Sequence, residues 1–376
     1  MRNKRASKLE SRKFGYVLVL LGLIGLALAV TYLPFRYQST EVYALNNSNR
    51  TILNYIYCVG DSGIGNENLT YYAPILASHA IGAWKQTTGY PVGVDDVGCD
   101  IYGNYIYCVG TNITIQENQT YYAKISASGI GNWTKTTSYP IRFTYGSCSA
   151  YRGYIYCVGD WTIPSNQSYY ARLSASGVGN WTKTTSYPTP FYWAGCSIDN
   201  GYIYCVGGPG IAHVLGSTDQ EVIDTPNQSM NATYFASVSD SGIGTWKATT
   251  PFPSRFILSG CSIYNDYIYC TGAGGVGNFT YYAHVSPDGI GNWTHTTNTP
   301  IAIEQGGCAA YDGYLYCVGN RNRASVGHQT WYAPISSSGI GNWIEGTAYP
   351  LPFYGDSYCE IPGSGGGWLG GGGPQN

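Results

Sequence analysis

One hexapeptide recurs along the chain, and its spacing restricts the fold more than any other feature. Tyr55-Ile-Tyr-Cys-Val-Gly returns at Tyr105, Tyr154, Tyr202, Tyr267 (with Thr271 for Val) and Tyr314 (with Leu315 for Ile), at intervals of 50, 49, 48, 65 and 47 residues. A second apolar run follows each copy, Thr70-Tyr-Tyr-Ala in the first and Thr330-Trp-Tyr-Ala in the last. Next come a Gly-rich turn ending in Trp (Trp84, Trp133, Trp181, Trp246, Trp293, Trp343), in most copies a Thr-rich stretch, then Pro, a variable loop and usually Gly-Cys. Gly, Pro and Asn punctuate the runs, and no helical period intervenes. Each unit therefore predicts four short strands, and four strands per roughly 50 residues is the size of a β-propeller blade. The expectation is an all-β, six-bladed propeller over residues 51–361. The 38 Tyr and 51 Gly suit strands and tight turns, and only 11% of residues are charged, too few for a disordered chain.

The unit resembles the kelch repeat. An apolar run ends in Val-Gly-Gly (Val206-Gly207-Gly208 is the fullest copy), a Tyr pair follows, and a Trp sits after the next turn. The resemblance covers about residues 50–361 and implies four-stranded blades. Most units depart from the kelch pattern by carrying one glycine where it has two, and by adding cysteines. A sialidase-type Asp-box is the nearest competitor. Ser286-Pro-Asp-Gly-Ile-Gly-Asn-Trp293 comes closest to it, with glycines at the wrong positions.

Ten of the twelve cysteines fall in pairs nine apart: Cys99 with Cys108, Cys148 with Cys157, Cys196 with Cys205, Cys261 with Cys270, and Cys308 with Cys317. Two-residue turn candidates lie between them, among them Gly103-Asn104 and Asn200-Gly201. Counting outward from such a turn sets Tyr102 against Tyr105 and Cys99 against Cys108, at a non-hydrogen-bonded pair with Cα atoms about 4.5 Å apart, which a disulfide accepts. Cys58 and Cys359 remain. Cys58 lacks a partner at Asn49, and Cys359 lies in a first-strand copy with no second strand after it. The C-terminal strand is expected to complete the first blade, with Cys58–Cys359 locking the ring. Zinc is a poorer reading, because the five histidines (His79, His213, His284, His295, His328) do not accompany the cysteines.

The flanks locate the chain. Residues 1–13 are basic (Arg2, Lys4, Arg5, Lys8, Arg12, Lys13), and Phe14–Leu33 is apolar or small throughout, long enough to span a bilayer as a helix. The positive-inside rule places the N-terminus in the cytoplasm and the remainder, after a linker at 34–50, outside. Ala27-Leu28-Ala29 resembles a signal-peptide cleavage site, but the apolar run exceeds the usual signal core, which favours an uncleaved anchor. Twelve cysteines suit an oxidising compartment. So do Asn-x-Ser/Thr acceptors at Asn46, Asn49, Asn68, Asn112, Asn118, Asn132, Asn166, Asn180, Asn227, Asn231, Asn278 and Asn292. Beyond residue 50, 11 Lys/Arg face 19 acids, a balance that argues against nucleic acid as a partner. Residues 362–376 read as a Gly-rich flexible tail.

Ligand contact is expected on the face carrying the second-to-third-strand loops and the blade-to-blade loops, where copies differ most. The candidates are Arg142, Trp161, Tyr192, Trp193, Arg255, Glu304, Arg321, Arg323 and His328, with Phe143, Phe191 and Phe256 beside them. Arg142 and Arg255 also sit where kelch repeats carry structural arginines, and the aromatics could cover the central channel. Blade 6 has no acceptor asparagine, since His328-Gln-Thr and Asn342-Trp-Ile break the motif, so its sector is expected to be least shielded by sugar. The function that follows is a cell-surface binding or adhesion scaffold for a glycan or protein. A glycosidase or sialidase-like enzyme and a passive glycosylated envelope component are the alternatives. No catalytic residue, metal or cofactor is assigned, because no local motif supports one.

Overall fold

The structure is a computed structural model, and it describes residues 51–60, 68–93, 97–110, 118–143, 145–159, 166–191, 195–207, 231–254, 256, 260–273, 277–301, 303, 307–322, 325–351 and 358–364. The expected anchor and linker lie outside these residues, as does the expected tail beyond Ser364, whose own side chain is buried. Among the described residues no helix is long and apolar enough to cross a membrane.

Six antiparallel sheets form six blades. In blade 2 the order from the axis outward is Gly98–Tyr102, Tyr105–Val109, Thr120–Ser126 and the short Thr134–Lys135, with Gly129–Ile130 pairing the end of the third strand. Blades 3, 4, 5 and 6 repeat this from inner strands Ser147–Tyr151, Gly195–Asp199, Gly260–Tyr264 and Gly307–Tyr311. The outermost strand of each blade is only two residues long, shorter than the repeat suggests, because the chain there turns along the rim to reach the next blade. Blade 6 also departs from expectation. Its second and third strands, Tyr314–Asn322 and Ser325–Ser336, extend as one hairpin in which Arg321 pairs with Val326 and Asn322 with Ser325, so Arg321 belongs to a ladder rather than a loop.

Blade 1 is built from both ends of the domain. Ile52–Val59, Thr70–Leu76 and Lys85–Gln86 come from its start, and Tyr358–Glu360 supplies the inner strand, pairing Cys58 with Cys359. This three-residue strand touches Gly307–Tyr311 on one side and Gly98–Tyr102 on the other, which closes the ring. All six expected disulfides form. Cys58 bonds Cys359, Cys99 bonds Cys108, Cys148 bonds Cys157, Cys196 bonds Cys205, Cys261 bonds Cys270 and Cys308 bonds Cys317. Each spans directly opposed residues of the first two strands of its blade, with Cα atoms 4.0–4.1 Å apart. That separation is slightly below the 4.5 Å or so of an unbridged non-hydrogen-bonded pair, since the bond draws the two strands together. The register predicted by counting from Gly103-Asn104 is the one observed. Six buried disulfides fit an oxidising, extracytoplasmic environment.

The hydrophobic cores lie between blades. Ile56, Ala73 and Ile75 of blade 1, for example, share a cluster with Ala309, Tyr316 and Val318 of blade 6. Three polar contacts repeat around this packing. Each blade Trp donates its indole N–H to a Thr carbonyl of the preceding blade, as Trp181 does to Thr137 at 3.1 Å. Threonines such as Thr184 accept from the Ile243 N–H and donate to its carbonyl across the next seam, at 2.7 and 3.1 Å. The preceding glycine makes this approach possible: Gly242 has φ +105°, and a Cβ there would meet Thr184 Oγ1 at 2.4 Å. The third contact is a buried tyrosine. Tyr57, Tyr107, Tyr156, Tyr204 and Tyr269 donate to the carbonyls of Ser126, Ser174, Ser239, Ser286 and Ser336 in the next blade, at 2.8–2.9 Å. Burial raises each of these phenols well above its ordinary value, so all remain neutral donors. At the closing seam Tyr316 meets His79 Nδ1 instead, at 3.5 Å.

Closure and local bridging should separate in unfolding experiments. In the loop-entropy picture, replacing Cys58 and Cys359 by Ser removes roughly 5 kcal/mol, against roughly 2–3 kcal/mol for Cys99 and Cys108. Guanidinium midpoints of the two double variants check this ordering, and equal losses would contradict it. Non-reducing peptide mapping should recover the Cys58–Cys359 peptide pair.

Candidate functional site

Three aromatic residues of the loop face are held inward. Phe143, Phe191 and Phe256, expected to stand on the surface, are at most 1% exposed. The reason is visible at the glycine closing the Tyr-Ile-Tyr-Cys-Val-Gly run. Gly159 has φ +81°, and a Cβ there would lie 2.1 Å from the Phe191 carbonyl oxygen. The loop entering the next blade therefore rests on that glycine and tucks its phenylalanine against the buried tyrosine four residues earlier. Phe191 meets Tyr187 edge-on at 4.7 Å between ring centroids.

Of the sequence candidates, Arg142 is half-buried at the base of its loop. Trp161, Tyr192, Trp193, Arg255, Glu304 and Arg323 lie outside the described residues, as does the side chain of Arg321. His328 is placed clearly, and it is not a free surface cation. Its Nδ1–H donates to the Tyr349 carbonyl at 3.1 Å. Asn166, Asn231 and Asn278 make the same bond to the carbonyls of Tyr187, Phe252 and Thr299, at 2.8–3.1 Å, and Asn118 makes it to Tyr139. His328 is thus blade 6's version of a loop clasp.

At the axis, the residue after the inner cysteine is Asp100, Ser149, Ser197, Ser262, Ala309 or Glu360, and all six are buried. Several reach the next blade: Asp100 Oδ2 accepts from the Ala150 N–H at 2.6 Å, and Ser262 Oγ from the Ala310 N–H at 2.9 Å. Glu360 accepts from Tyr358 Oη at 2.8 Å and from Ser364 Oγ. Burial pushes both carboxyls up. Asp100 is further tempered by its two backbone donors, and Glu360 is further raised by the charge of Asp100. Buried at the axis, each carboxyl favours its protonated form over its charge.

The opposite face, which carries the hairpin turns, presents a groove at the seam of blades 3 and 4. Its volume is about 400 Å³, and Tyr151, Arg152, Tyr154, Tyr156, Asn200 and Asp240 line it. Arg152 and Asp240 are exposed, and the Arg152 guanidinium stands 5.2 Å from the centroid of the Tyr151 ring. Arg152 and Asn200 are both turn residues with φ +46°. Asn200 Nδ2 donates to Asp199 at 3.0 Å and to Asp266 at 2.9 Å. Asp199 is raised to about 6 by burial and by Asp266 beside it. The groove thus offers the half-buried Tyr154 ring, a cation, an amide and the Asp240 carboxylate within one seam. The sequence carried a signal for it. Asp199 stands where Tyr102, Tyr151, Tyr264 and Tyr311 end the other inner strands, and Arg152 is the one arginine in the five hairpin turns.

No protein-family model matches the chain, and no curated protein does. Among solved structures, that of YjhT is similar at a TM-score of 0.53 and 11% identity, over 69% of this chain and 85% of that one. It is one of 254 matching solved chains, so the likeness speaks for the propeller fold alone. The kelch likeness is therefore one of repeat pattern.

The axial carboxyls set a pH dependence. Both hold protons more tightly folded than unfolded, so their contribution to stability is complete below about pH 4 and is lost as pH rises through the folded values, about 7 for Asp100. Glu360→Gln keeps an amide that Tyr358 and Ser364 can satisfy by rotating their hydroxyls. Its Tm should exceed that of the parent by roughly 2–4 °C at pH 8 and match it at pH 4. Calorimetry at the two pH values checks this; an equal drop at both would refute the protonated-carboxyl account.

Proposed function

We propose that this chain is a membrane-tethered surface protein whose propeller recognises carbohydrate without catalysing a reaction. One observation carries the reading: the blade 3–blade 4 groove combines tyrosine rings with Arg152, Asn200 and Asp240 at a single seam. Sugars present apolar C–H faces and a rim of hydroxyls. Aromatic rings suit the first, and fixed donors and acceptors suit the second. The acidic, charge-poor domain and its six disulfides support an extracytoplasmic setting. The basic segment followed by Phe14–Leu33 supports a tether with the propeller on the outer side.

A glycan array probed with the purified chain tests the proposal. Arg152→Ala and Tyr154→Ala should each weaken the best ligand by roughly tenfold or more, in line with the loss of a buried polar or aromatic anchor. Arg321→Glu with Arg323→Glu should leave it unchanged. The reverse pattern would move recognition to the loop face, and hydrolysis of any arrayed glycan would point to an enzyme.

A further inference from the structure

Eight of the twelve Asn-x-Ser/Thr motifs fall in described residues, and they do not occupy equivalent surroundings. We infer that Asn132, Asn180 and Asn292 are the positions the protein offers for sugar attachment, whereas Asn118, Asn166, Asn231 and Asn278 are structural clasps that stay unmodified in the folded chain. The inference rests on the extracytoplasmic reading above.

The clasp asparagines are half-buried and bonded twice to one partner 21 residues on. Asn166 Nδ2 donates to the Tyr187 carbonyl at 3.1 Å, while the Tyr187 N–H donates back to the Asn166 carbonyl at 2.9 Å. Asn231 with Phe252 and Asn278 with Thr299 repeat both bonds. The partners Tyr139, Tyr187, Phe252 and Thr299 are at most 1% exposed, so each clasp ties the start of a third strand to the core of its seam. The hydroxyl residue that completes the motif is also unreachable: Thr120, Ser168 and Thr233 open their third strands, Thr280 lies near the start of its own, and all four are at most 2% exposed.

The second class is the opposite. Asn132, Asn180 and Asn292 are exposed on the rim, and so are the hydroxyl residues Thr134, Thr182 and Thr294. The residue between them, a Trp, turns its indole into the preceding blade and leaves the asparagine facing outward. Asn68 combines an exposed asparagine with the buried Thr70 and belongs to neither class.

Blade 6 separates the two roles within one molecule. His328 retains the clasp to Tyr349, with Nδ1 to the carbonyl at 3.1 Å and the Tyr349 N–H returned at 2.7 Å, although histidine cannot accept an N-linked sugar. What the repeat keeps at this position is a donor. Sugar transfer forms a bond from Nδ2 to the anomeric carbon and breaks that carbon's bond to the phosphate of a diphosphate-activated donor. The diphosphate leaves and Nδ2 gives up one proton. At a clasp, that reaction would consume one N–H of the amide and set a sugar where the partner's backbone lies.

Glycopeptide mapping of the full chain, made in a host that glycosylates asparagine, tests the sorting. Sugar is expected on Asn132, Asn180 and Asn292, with the Asn118, Asn166, Asn231 and Asn278 peptides unmodified. Sugar on any of those four in the folded protein overturns the sorting. Sugar on none of the eight overturns the extracytoplasmic reading together with the rim assignment. The clasp is then tested separately on chain lacking sugar: Asn166→His should keep the parent Tm to within about 1 °C, while Asn166→Ala should lower it by roughly 3 °C. Equal behaviour of the two variants would overturn the clasp.

Discussion

Three residues at the end of the domain hold the ring together. Tyr358–Glu360 is the inner strand of a blade whose other strands come from the domain's start, and its neighbours on both sides are inner strands of other blades. The apolar clusters lie between blades, so a blade without its neighbour exposes half of a core. An open ring would therefore leave two such faces in water, at the cost of the apolar area that the seam between blades 6 and 1 now buries. Cysteine bonding at Cys58–Cys359 makes this junction covalent across 301 residues, while the other five bridges each close a loop of nine. One bond restrains the topology, and five stiffen the hairpins.

The same closure brings Glu360 beside Asp100. A polar ring of serines around the axis would satisfy the inner strands with neutral groups, and Ser149, Ser197 and Ser262 do so. Carboxyls at the strap and at the blade that follows it reach further. Asp100 ties Ile101 and Ala150, and Glu360 collects Tyr358 and Ser364. The terminal segment is thereby anchored by side chains as well as by its short ladder. Burial of two acids is the cost of that anchoring, and a retained proton limits it.

What could be read in advance follows from the range over which each interaction acts. Blade number, register and five of the six bridges depend on periodicity and on counting from two-residue turns, which are local facts; Cys58–Cys359 follows as the pair left over at the two ends of the repeat. Tyr102 against Tyr105 needs no knowledge of any other blade. The proximity of Asp100 and Glu360, by contrast, exists only once the ring is closed. The inward turn of Phe191 depends on a glycine in the preceding blade, Gly159. The clasp at His328 is hidden for a related reason: its partner Tyr349 is 21 residues away across the third strand and the rim, and only comparison with Asn166 and Tyr187 reveals the shared bond. The groove between blades 3 and 4 is legible as broken repeats at Arg152 and Asp199, on the face where the copies otherwise differ least.

The seams have one further property. Tyr57, Tyr107, Tyr156, Tyr204 and Tyr269, the blade tryptophans and the bridging threonines all address main-chain carbonyls of the adjacent blade. Every residue type has such a carbonyl. A blade can thus change the side chains it presents across a seam without a matching change in its neighbour, provided its backbone path is kept. Contacts written this way tolerate duplication and drift, because a copied blade fits wherever another blade fitted. The hairpin turns and loops are then free to diverge wherever they make no side-chain contact across a seam of the kind that joins Asn200 to Asp266.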